Sequence, residues 1–387
     1  MRNTILYIGG FNLPDRNASA IRVMENAHLL KKLGYEVVLM GKLKAQKGSA
    51  VYDGFECFDI MQPFTERTYK PYTQSIGSVK DVAAHIGMEK IKAIVAYNYP
   101  AFSLEKINRF ARKSGIAPVA DCTEWYGWEG WRIDRNIKRM IDTAYRMYFS
   151  AKNAKNVICA GSYLQKHFAS CHTVIWPFCV NTELQRWQLL DKDITINHPR
   201  RFVYSGSPGI GMSKDRINLL VEAFYRMKKE GRLFEYLIMG ITKEQYLSVF
   251  GNHRKMIDFL DDQVKFLGRI PHNEALKTLK SADYSLFIRP DNRVSHAGFP
   301  TKVMEAFTLG VPTVTNATSD IADYVNDGVN GFIFPGTDVE RIERVLQKAI
   351  ACEDDLLYRM KESCRTKNPF STAYFIEPVG RFFENLK

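Results

Sequence analysis

Short apolar runs alternate with amphipathic stretches along most of the chain. In the first half the apolar runs are TILYIGG, YEVVLMG, KAIVAYN, APVADC, NVICAG and TVIWP. In the second half they are RFVYSG, EYLIMG, VKFLGRI, DYSLFIR, PTVTN and GFIFPG. Helical patterns lie between several of them, for example at 18–33, 103–115, 218–231 and 273–282. Continuous apolar runs joined by helices are typical of a parallel sheet covered on both faces. The pattern predicts an α/β protein with two Rossmann-like halves.

A polar stretch between the halves is the predicted hinge. It spans 183–199 and separates a first domain, 1–182, from a second, 200–365. The chain has 387 residues, above the ~250–300 at which a single core stops growing. Residues 366–387 are aromatic-rich and predict a final helix. Open α/β sheets bind ligands at the carboxyl ends of their strands, so the cleft between the domains is the expected site.

The composition indicates the cellular compartment of the protein and the charge of its binding partners. Lys and Arg number 54 against 42 Asp and Glu, a net charge of +12 that favours anionic partners. The seven cysteines are widely spaced without a Cys-x-x-Cys pair, which predicts reduced thiols in the cytosol. The eight histidines lack metal-ligand spacing, so no metal is expected. No apolar run reaches the ~18–20 residues of a membrane-spanning helix, and a cytoplasmic protein is expected.

The stretch 289–310 combines the features of an anion site. Pro300 suits a first helical turn, and the free N–H groups at such a helix start attract negative charge. Lys302 adds a cation and Thr301 a hydroxyl, while Glu305 lies one turn further on and can accept hydrogen bonds from vicinal hydroxyls. On composition alone, an ordinary helix start with surface charges explains this pattern equally well.

A family resemblance favours the anion site. GFPTKVMEAFTLGVPTVTN at 298–316, with IADYV and GVNGFIFPG after it, resembles the donor-site signature of glycosyltransferase family 4. Four other segments are similar to further parts of that family: VKFLGRIP, NEALKTLKSADYSLFIRP, KDRINLLVEAF and VNTELQ. The loop that contains Pro300, Lys302 and Glu305 resembles the corresponding loop of bacterial polysaccharide-assembly transferases. These are retaining, nucleotide-sugar-dependent enzymes of the GT-B fold. The resemblance implies two Rossmann-like domains facing a cleft, with the last helix packed back on the first.

The resemblance also implies a reaction and its partners. It implies a hexosyltransferase-type enzyme that moves a sugar from a UDP- or GDP-sugar to a glycan or lipid-linked glycan. No metal or other cofactor is expected, and nucleic acid is not an expected partner. The alternatives left open are a nucleotide-sugar epimerase of the same fold and a catalytically silent binding or scaffold protein.

Residue roles follow from the same resemblance. Lys214 and Lys302 would stabilise the diphosphate, Glu305 would hold the ribose, and Glu124 would orient the acceptor. Further donor-binding positions are Gly10, Ser207, Gly209, Gly240, Ile270, Arg289, Arg293, Gly298, Phe299, Pro300 and Thr301. Acceptor-binding positions are Asp121, Trp125 and Tyr126. For this aromatic stretch a partly buried corner is the alternative interpretation, and for Gly10 it is a tight turn.

The chain departs from the family pattern at two points. The first motif glutamate, which contacts donor-sugar hydroxyls in the family, is replaced by Ala297 beside His296. The family's diphosphate-binding arginine has no match in SGSPGIG at 205–211. The missing charge could come from Arg289, Arg293 or Lys302. The identity of the donor sugar therefore stays open.

Two charged segments allow further interpretations. Residues 131–156 carry seven Lys or Arg against two Asp, interleaved with aromatic residues. They fit a peripheral patch at the inner face of an anionic membrane, a nucleic-acid surface, or an amphipathic helix with a solvated basic face. Asp191-Lys192-Asp193 has the Asp-x-Asp form of some metal sites but lies in the hinge, which favours a solvated linker.

Overall fold

Two β-sheets, one from each half of the chain, form the framework of the protein. The computed structural model describes residues 2–43, 48–184, 187 and 193–387. The strands of the first sheet are β1 (Thr4–Asn12), β2 (Glu36–Lys42), β3 (Ser49–Tyr52), β4 (Phe55–Asp59), β5 (Ile91–Tyr97), β6 (Ala117–Cys122), β7 (Asn156–Cys159) and β8 (His172–Ile175). Their order is β3-β4-β2-β1-β5-β6-β7-β8, parallel except for the antiparallel pair β3–β4.

The second sheet is parallel throughout. Its strands are β9 (Arg201–Ser205), β10 (Glu235–Met239), β11 (Val264–Gly268), β12 (Tyr284–Leu286), β13 (Thr313–Asn316) and β14 (Gly331–Phe334). Their order is β11-β10-β9-β12-β13-β14. Strands β10 and β11 therefore lie on one side of β9, and β12 to β14 lie on the other. The expectation of two Rossmann-like α/β domains is confirmed.

Helices cover both sheets. In the first half they are α1 (Ala18–Lys32), α2 (Gly77–Ile86), α3 (Ala101–Lys113), α4 (Ile133–Tyr145) with a π-helical turn at Arg146–Ser150, α5 (Ala151–Ala154) and α6 (Ser162–His167). In the second half they are α7 (Ile217–Lys229), α8 (Lys243–Val249), α9 (Arg254–Leu260), α10 (His272–Lys280), α11 (Arg293–Ala297), α12 (Thr301–Thr308), α13 (Ile321–Tyr324), α14 (Val339–Ile350), α15 (Asp354–Thr366) and α16 (Ala373–Glu384). Short 3₁₀ turns occupy Ile210–Met212 and Gly251–His253. Among the described residues, none of the helices is long and apolar enough to cross a membrane.

The last helix belongs to the first domain. Its side chains Phe375, Val379, Phe382 and Phe383 are buried in the same cluster as residues of β1 and β2. The returning chain runs beside the outgoing one, because Val180 N–H donates to Phe370 O at 2.8 Å and Thr372 N–H donates to Val180 O at 3.1 Å. The chain therefore crosses between the domains twice at one place. Of the predicted hinge, residues 185, 186 and 188–192 lie outside the described part.

The structure differs from the sequence-based prediction in three elements. The hairpin β3–β4 was missed, although its turn is Asp53-Gly54, with φ of 50° and 78°, a sequence typical of two-residue hairpins. The strand predicted to end near Arg289 ends at Leu286. The loop expected before Pro300 contains α11, whose start is capped by Asn292 Oδ1 accepting from Ser295 N at 3.0 Å.

Candidate functional site

A cavity of about 620 Å³ lies between the two domains. Its walls come from the start of α1, the segment after β6, the segment before α7, and the chain from the end of β12 to the start of α12. These are carboxyl ends of parallel strands, where ligands of such sheets bind. The predicted site residues that line it are Glu124, Trp125, Tyr126, Lys214, Arg289, Gly298, Phe299, Pro300, Thr301 and Lys302.

Lys302 is a buried cation at the start of α12. Its Nζ lies 2.8 Å from Asp215 Oδ2 and 4.2 Å and 4.8 Å from the ring centres of Tyr204 and Phe287. The Tyr204 hydroxyl donates to the same carboxylate oxygen at 2.6 Å. An ammonium has three donors, and Asp215 accepts from one of them among the residues that the structure describes, so two remain for a ligand in the cavity.

The pKa values in this pair shift in directions that follow from burial and charge. Burial lowers the pKa of Lys302, and the Asp215 carboxylate acts against that shift. Burial acts to raise the pKa of Asp215, but Lys302 and Arg289 outweigh it and the pKa is lowered. Asp215 is therefore an anion that neutralises part of the local positive charge.

Arg289 is held rigidly at the floor of the cavity. Its Nη1 donates to Gly298 O at 2.7 Å and to Ser295 O at 3.2 Å, while its backbone N–H donates to Asn316 Oδ1 at 2.9 Å. Nε is buried without a partner among the described residues. The guanidinium therefore fixes the α11–α12 loop and adds positive charge beside Lys302.

The helix start at Pro300–Thr301 faces the same space. No side chain caps it among the described residues, so its first N–H groups remain available to an anion. Lys214, which also lines the cavity, is exposed and directly precedes Asp215 in the chain. Two ammonium groups, one guanidinium and a helix start thus line the same cavity.

The first-domain wall carries a tyrosine held between two arginines. The guanidinium carbons of Arg139 and Arg146 each lie 4.8 Å from the Tyr126 ring centre. Burial and the neighbouring Glu124 carboxylate raise the pKa of the Tyr126 hydroxyl. Arg146 Nη2 also donates to Glu124 O at 2.9 Å, which fixes the backbone at Glu124. The predicted acceptor segment is thus held by the buried Arg146 and the partly exposed Arg139.

Trp125 and Arg293 join the two domains beside the cavity. The Arg293 guanidinium lies 5.1 Å from the Trp125 ring centre, across the domain boundary. Trp125 is buried, with His167 edge-on at 4.9 Å. Arg293 itself is not among the residues that line the cavity.

Asp121 lies beneath the cavity rather than at its surface. It is fully buried, pairs with Arg22 Nη1 at 2.5 Å and accepts a hydrogen bond from the Tyr7 hydroxyl. Although burial acts against it, the Asp121 charge raises the pKa of Arg22. Asp121 therefore does not bind the acceptor directly. It supports the cavity by holding Arg22, which does line it.

The remaining predicted donor residues lie outside the cavity lining. Glu305 is half-buried, with its Oε1 3.5 Å from His272 Nε2. Gly240 follows β10, and a Cβ there would collide with Gly206 O. Gly10 lies within β1, not in a turn after it, and close to the Tyr72 hydroxyl. Ile270 packs against the second-domain core. Ser207 and Gly209 belong to the turn after β9, where Lys214 N–H donates to Pro208 O at 2.8 Å.

Position 297 is closed to polar contacts. Ala297 is buried within the hydrophobic cluster of the first domain, together with Trp125 and Leu164. Its neighbour His296 lies 2.6 Å from Asp291 Oδ1 and accepts from Ser319 N–H at Nδ1, 3.3 Å away. At the position of the missing motif glutamate, the chain therefore has an alanine that packs against the first domain.

Three functional candidates were missed by sequence reasoning: Asp215, Tyr204 and Arg22. Arg22 left a signal, because it stands among the apolar positions Ile21, Val23 and Met24 of α1, where a lone cation needs a partner. Asp215 left no such signal, because in the sequence it stands between two other charged residues, Lys214 and Arg216. Within the described residues, no group of three or more His, Cys, Asp or Glu side chains is placed to hold a metal ion. Of the Asp-x-Asp segment, Asp191 and Lys192 lie outside the described residues.

With the geometry of the site established, the chain can be compared with known proteins. Residues 209–367 match the family model described as glycosyl transferases group 1. This group 1 segment contains Lys214, Asp215, Arg289 and the whole of α12. The amylovoran biosynthesis glycosyltransferase AmsK of Erwinia amylovora is 27% identical over 149 residues, 37% of this chain and 35% of that protein. The chain thus aligns with about a third of that relative's length.

Solved structures resemble the chain over its whole length, beyond the group 1 segment. Sucrose-phosphate synthase (tll1590) from Thermosynechococcus elongatus has a TM-score of 0.72 at 15% identity, covering 100% of this chain and 99% of that chain. Anabaena Alr3699/HepE, solved in complex with UDP and glucose, has a TM-score of 0.65 at 12% identity, covering 99% and 100%. The GT-B fold expected from the sequence is confirmed.

Proposed function

We propose that the protein is a retaining glycosyltransferase of the family 4 type. It transfers a hexosyl group from a UDP- or GDP-sugar to a hydroxyl of a glycan or lipid-linked glycan in cell-surface polysaccharide synthesis. The observation that carries the proposal is the cationic region around Lys302 at the start of α12, inside the segment that matches group 1. AmsK, named for amylovoran biosynthesis, supports polysaccharide assembly as the context.

The chemistry proposed for this region is stabilisation of the leaving diphosphate. As the bond between the sugar and the diphosphate breaks, negative charge grows on the diphosphate oxygens. Fixed donors in a closed site stabilise such charge most effectively. Lys302, Arg289, Lys214 and the helix start supply these donors. The acceptor hydroxyl attacks from the same face, and the diphosphate oxygen takes its proton, so the anomeric configuration is retained.

Substrate contacts outside the charged region are assigned as follows. Glu305 accepts hydrogen bonds from the ribose hydroxyls, and its Oε1 lies 3.5 Å from His272 Nε2. Glu124, facing the cavity from the first domain, orients the acceptor. We propose that no metal is required, because the cationic side chains balance the diphosphate charge.

The proposed location is the cytoplasm, with peripheral contact at the inner face of the membrane. Seven free cysteines, six of them buried, fit a reducing compartment. A lipid-linked acceptor would place the working enzyme at the membrane surface.

Nucleotide release from UDP- and GDP-sugars, with and without a glycolipid acceptor and with EDTA, tests the proposal. We expect acceptor-dependent release with a retained anomeric configuration, unchanged by EDTA. An epimerised sugar without acceptor would identify the epimerase instead. Saturable binding without turnover would identify a silent binding protein, and loss of turnover in EDTA that Mg²⁺ restores would refute the metal-free mechanism.

A further inference from the structure

Helix α4 and the turn after it present large apolar side chains to solvent. Trp131 is 96% exposed, and Ile133, Ile137, Met140, Ile141 and Phe149 are each between 48% and 61% exposed. The rings of Tyr145 and Phe149 stack at 5.3 Å, so the end of the surface is ordered. A contiguous apolar surface of this kind marks an interaction site in a protein.

The orientation of α4 is the reverse of that of an ordinary surface helix. Ile133, Ile137, Met140 and Ile141 follow the spacing i, i+4, i+7, i+8, which places them on one face. The buried residues of α4 are the polar Asn136 and Thr143. Two polar side chains of the helix thus pack inward while four large apolar ones face solvent, so the exposed surface of α4 is apolar as well as basic.

Cations surround this apolar face. Arg132, Arg135 and Lys138 are exposed on or beside α4. The segment 131–156 has seven basic and two acidic residues; of the basic ones, Arg146 is buried and Arg139 pairs with Glu129. An apolar face bordered by Lys and Arg is typical of helices that lie in the plane of an anionic membrane surface. A second copy of the chain would instead bring like charges together, which disfavours self-association.

We propose that this apolar face, from Trp131 to Phe149, docks onto a bilayer that carries anionic lipid headgroups. The face is continuous with the site, because Trp128, Glu129 and Arg139 line the cavity. The inference rests on the proposed function in one respect: a lipid-linked acceptor held in this bilayer would enter the cleft beside α4. Trp131 would lie at the headgroup level, where tryptophan is enriched.

Flotation with phosphatidylcholine vesicles, with and without phosphatidylglycerol, tests the docking without any nucleotide-sugar. We expect the protein to float only with phosphatidylglycerol, and the double variant Ile137→Glu/Ile141→Glu to bind at least tenfold more weakly. Leu233→Glu is the matched control, since Leu233 is 67% exposed in the second domain. It should float like the wild type.

Further measurements separate this inference from the enzymatic one. A second variant, Arg135→Gln/Lys138→Gln, should lose the preference for phosphatidylglycerol even if the glutamate variant fails to fold. Both variants should keep wild-type nucleotide release with a water-soluble acceptor. Absence of wild-type flotation, equal flotation of both double variants and wild type, or light scattering that shows a dimer dissociated by the glutamate pair would each overturn the docking.

Discussion

Lys302 and Asp215 form a buried ion pair that opens onto the cavity. Desolvation makes such pairs weak contributors to stability, yet removal of one partner leaves the other charge uncompensated. Here the pair holds an ammonium in a fixed place, against the rings of Tyr204 and Phe287. A cation that is already positioned costs no reorganisation when charge develops on a bound diphosphate.

Removal of the Lys302 ammonium should therefore affect turnover more than donor binding. Lys302→Ala is expected to lower turnover at saturating donor by about 10²–10³, as loss of an oxyanion-hole donor does. Glu305→Gln should raise KM for the donor with turnover nearly kept, because its proposed contact is made before and during transfer alike. Steady-state kinetics of the two variants make the comparison.

The control for Lys302→Ala is Asp215→Asn, which keeps the lysine side chain but removes its counter-charge, a role that the bound diphosphate can take over. It should retain most of the turnover that Lys302→Ala loses, with the melting temperature of both variants recorded. Wild-type turnover in Lys302→Ala would show that other groups hold the diphosphate.

At the residue scale, the sequence predicts a side chain's place best where a motif also fixes the backbone. Pro300, Thr301 and Lys302 lie together at a helix start and line the cavity, because the local sequence sets that geometry. Asp121 was misplaced because strand ends bear both cleft-facing and inward-facing side chains. Their contacts depend on a neighbouring helix, here through Arg22, and no local pattern reveals that contact.

At the scale of elements, β9 and β10 approach closely at their carboxyl ends. Gly240 has a φ of +102°, and a Cβ there would collide with the backbone of Gly206, whereas Gly231 has a φ of +77° in open space. Gly231→Ala should cost about 1–2 kcal/mol from its backbone conformation alone. Gly240→Ala should cost a further ~1–3 kcal/mol from overpacking. Urea denaturation measures both, and equal losses would contradict a rigid contact between these ends.

Lys361 on α15 gives the second domain a specific pH dependence. Its Nζ donates to Thr195 O and Ala282 O, each at 2.6 Å, and lies 3.4 Å from Asp283 Oδ1. Burial lowers the pKa of Lys361 to about 8. Between that value and the ordinary pKa of about 10.4, the unfolded state binds more protons, so stability rises with pH.

The expected result is a growing difference between wild type and Lys361→Met. From pH 8 to 10, the free energy of unfolding of the wild type should gain up to about 1.4 kcal/mol per pH unit relative to the variant. Denaturation series at pH 7, 8, 9 and 10 provide the measurement. A difference independent of pH would mean that the pKa of Lys361 is not lowered.

The secondary-structure elements were predicted correctly where a continuous apolar run is followed by a long helical pattern. All twelve predicted strands are present, because burial on both faces leaves a strong signal. The hairpin β3–β4 lies at the sheet edge, and β3 is only partly buried, so its four residues show weak apolar contrast. The short helix α11 depends on the Asn292 cap and on Ala297 packing against the first domain, a contact between distant parts of the chain.

At the scale of the molecule, Asp320 links the second domain to the first. Its Oδ2 accepts from Ser162 N–H at 2.7 Å and its Oδ1 from the Ser162 hydroxyl at 2.5 Å. Asp320→Ala should raise KM for the donor and increase the radius of gyration of the free protein, because charge-assisted bonds each contribute about 1.5–3 kcal/mol to closure. Asp323→Ala is the control, since Asp323 is exposed on α13, the short helix that Asp320 directly precedes. Small-angle scattering curves that coincide for both variants and wild type would contradict this role.

The double crossing beside Val180 has a consequence for the order of synthesis. The face of the first sheet that receives Phe375, Val379 and Phe382 is synthesised before the second domain, whereas these three residues are synthesised after it. Domains usually fold in the order in which they leave the ribosome. The first domain therefore keeps an uncovered apolar face while the second is synthesised, and it can finish folding only after the second has been made.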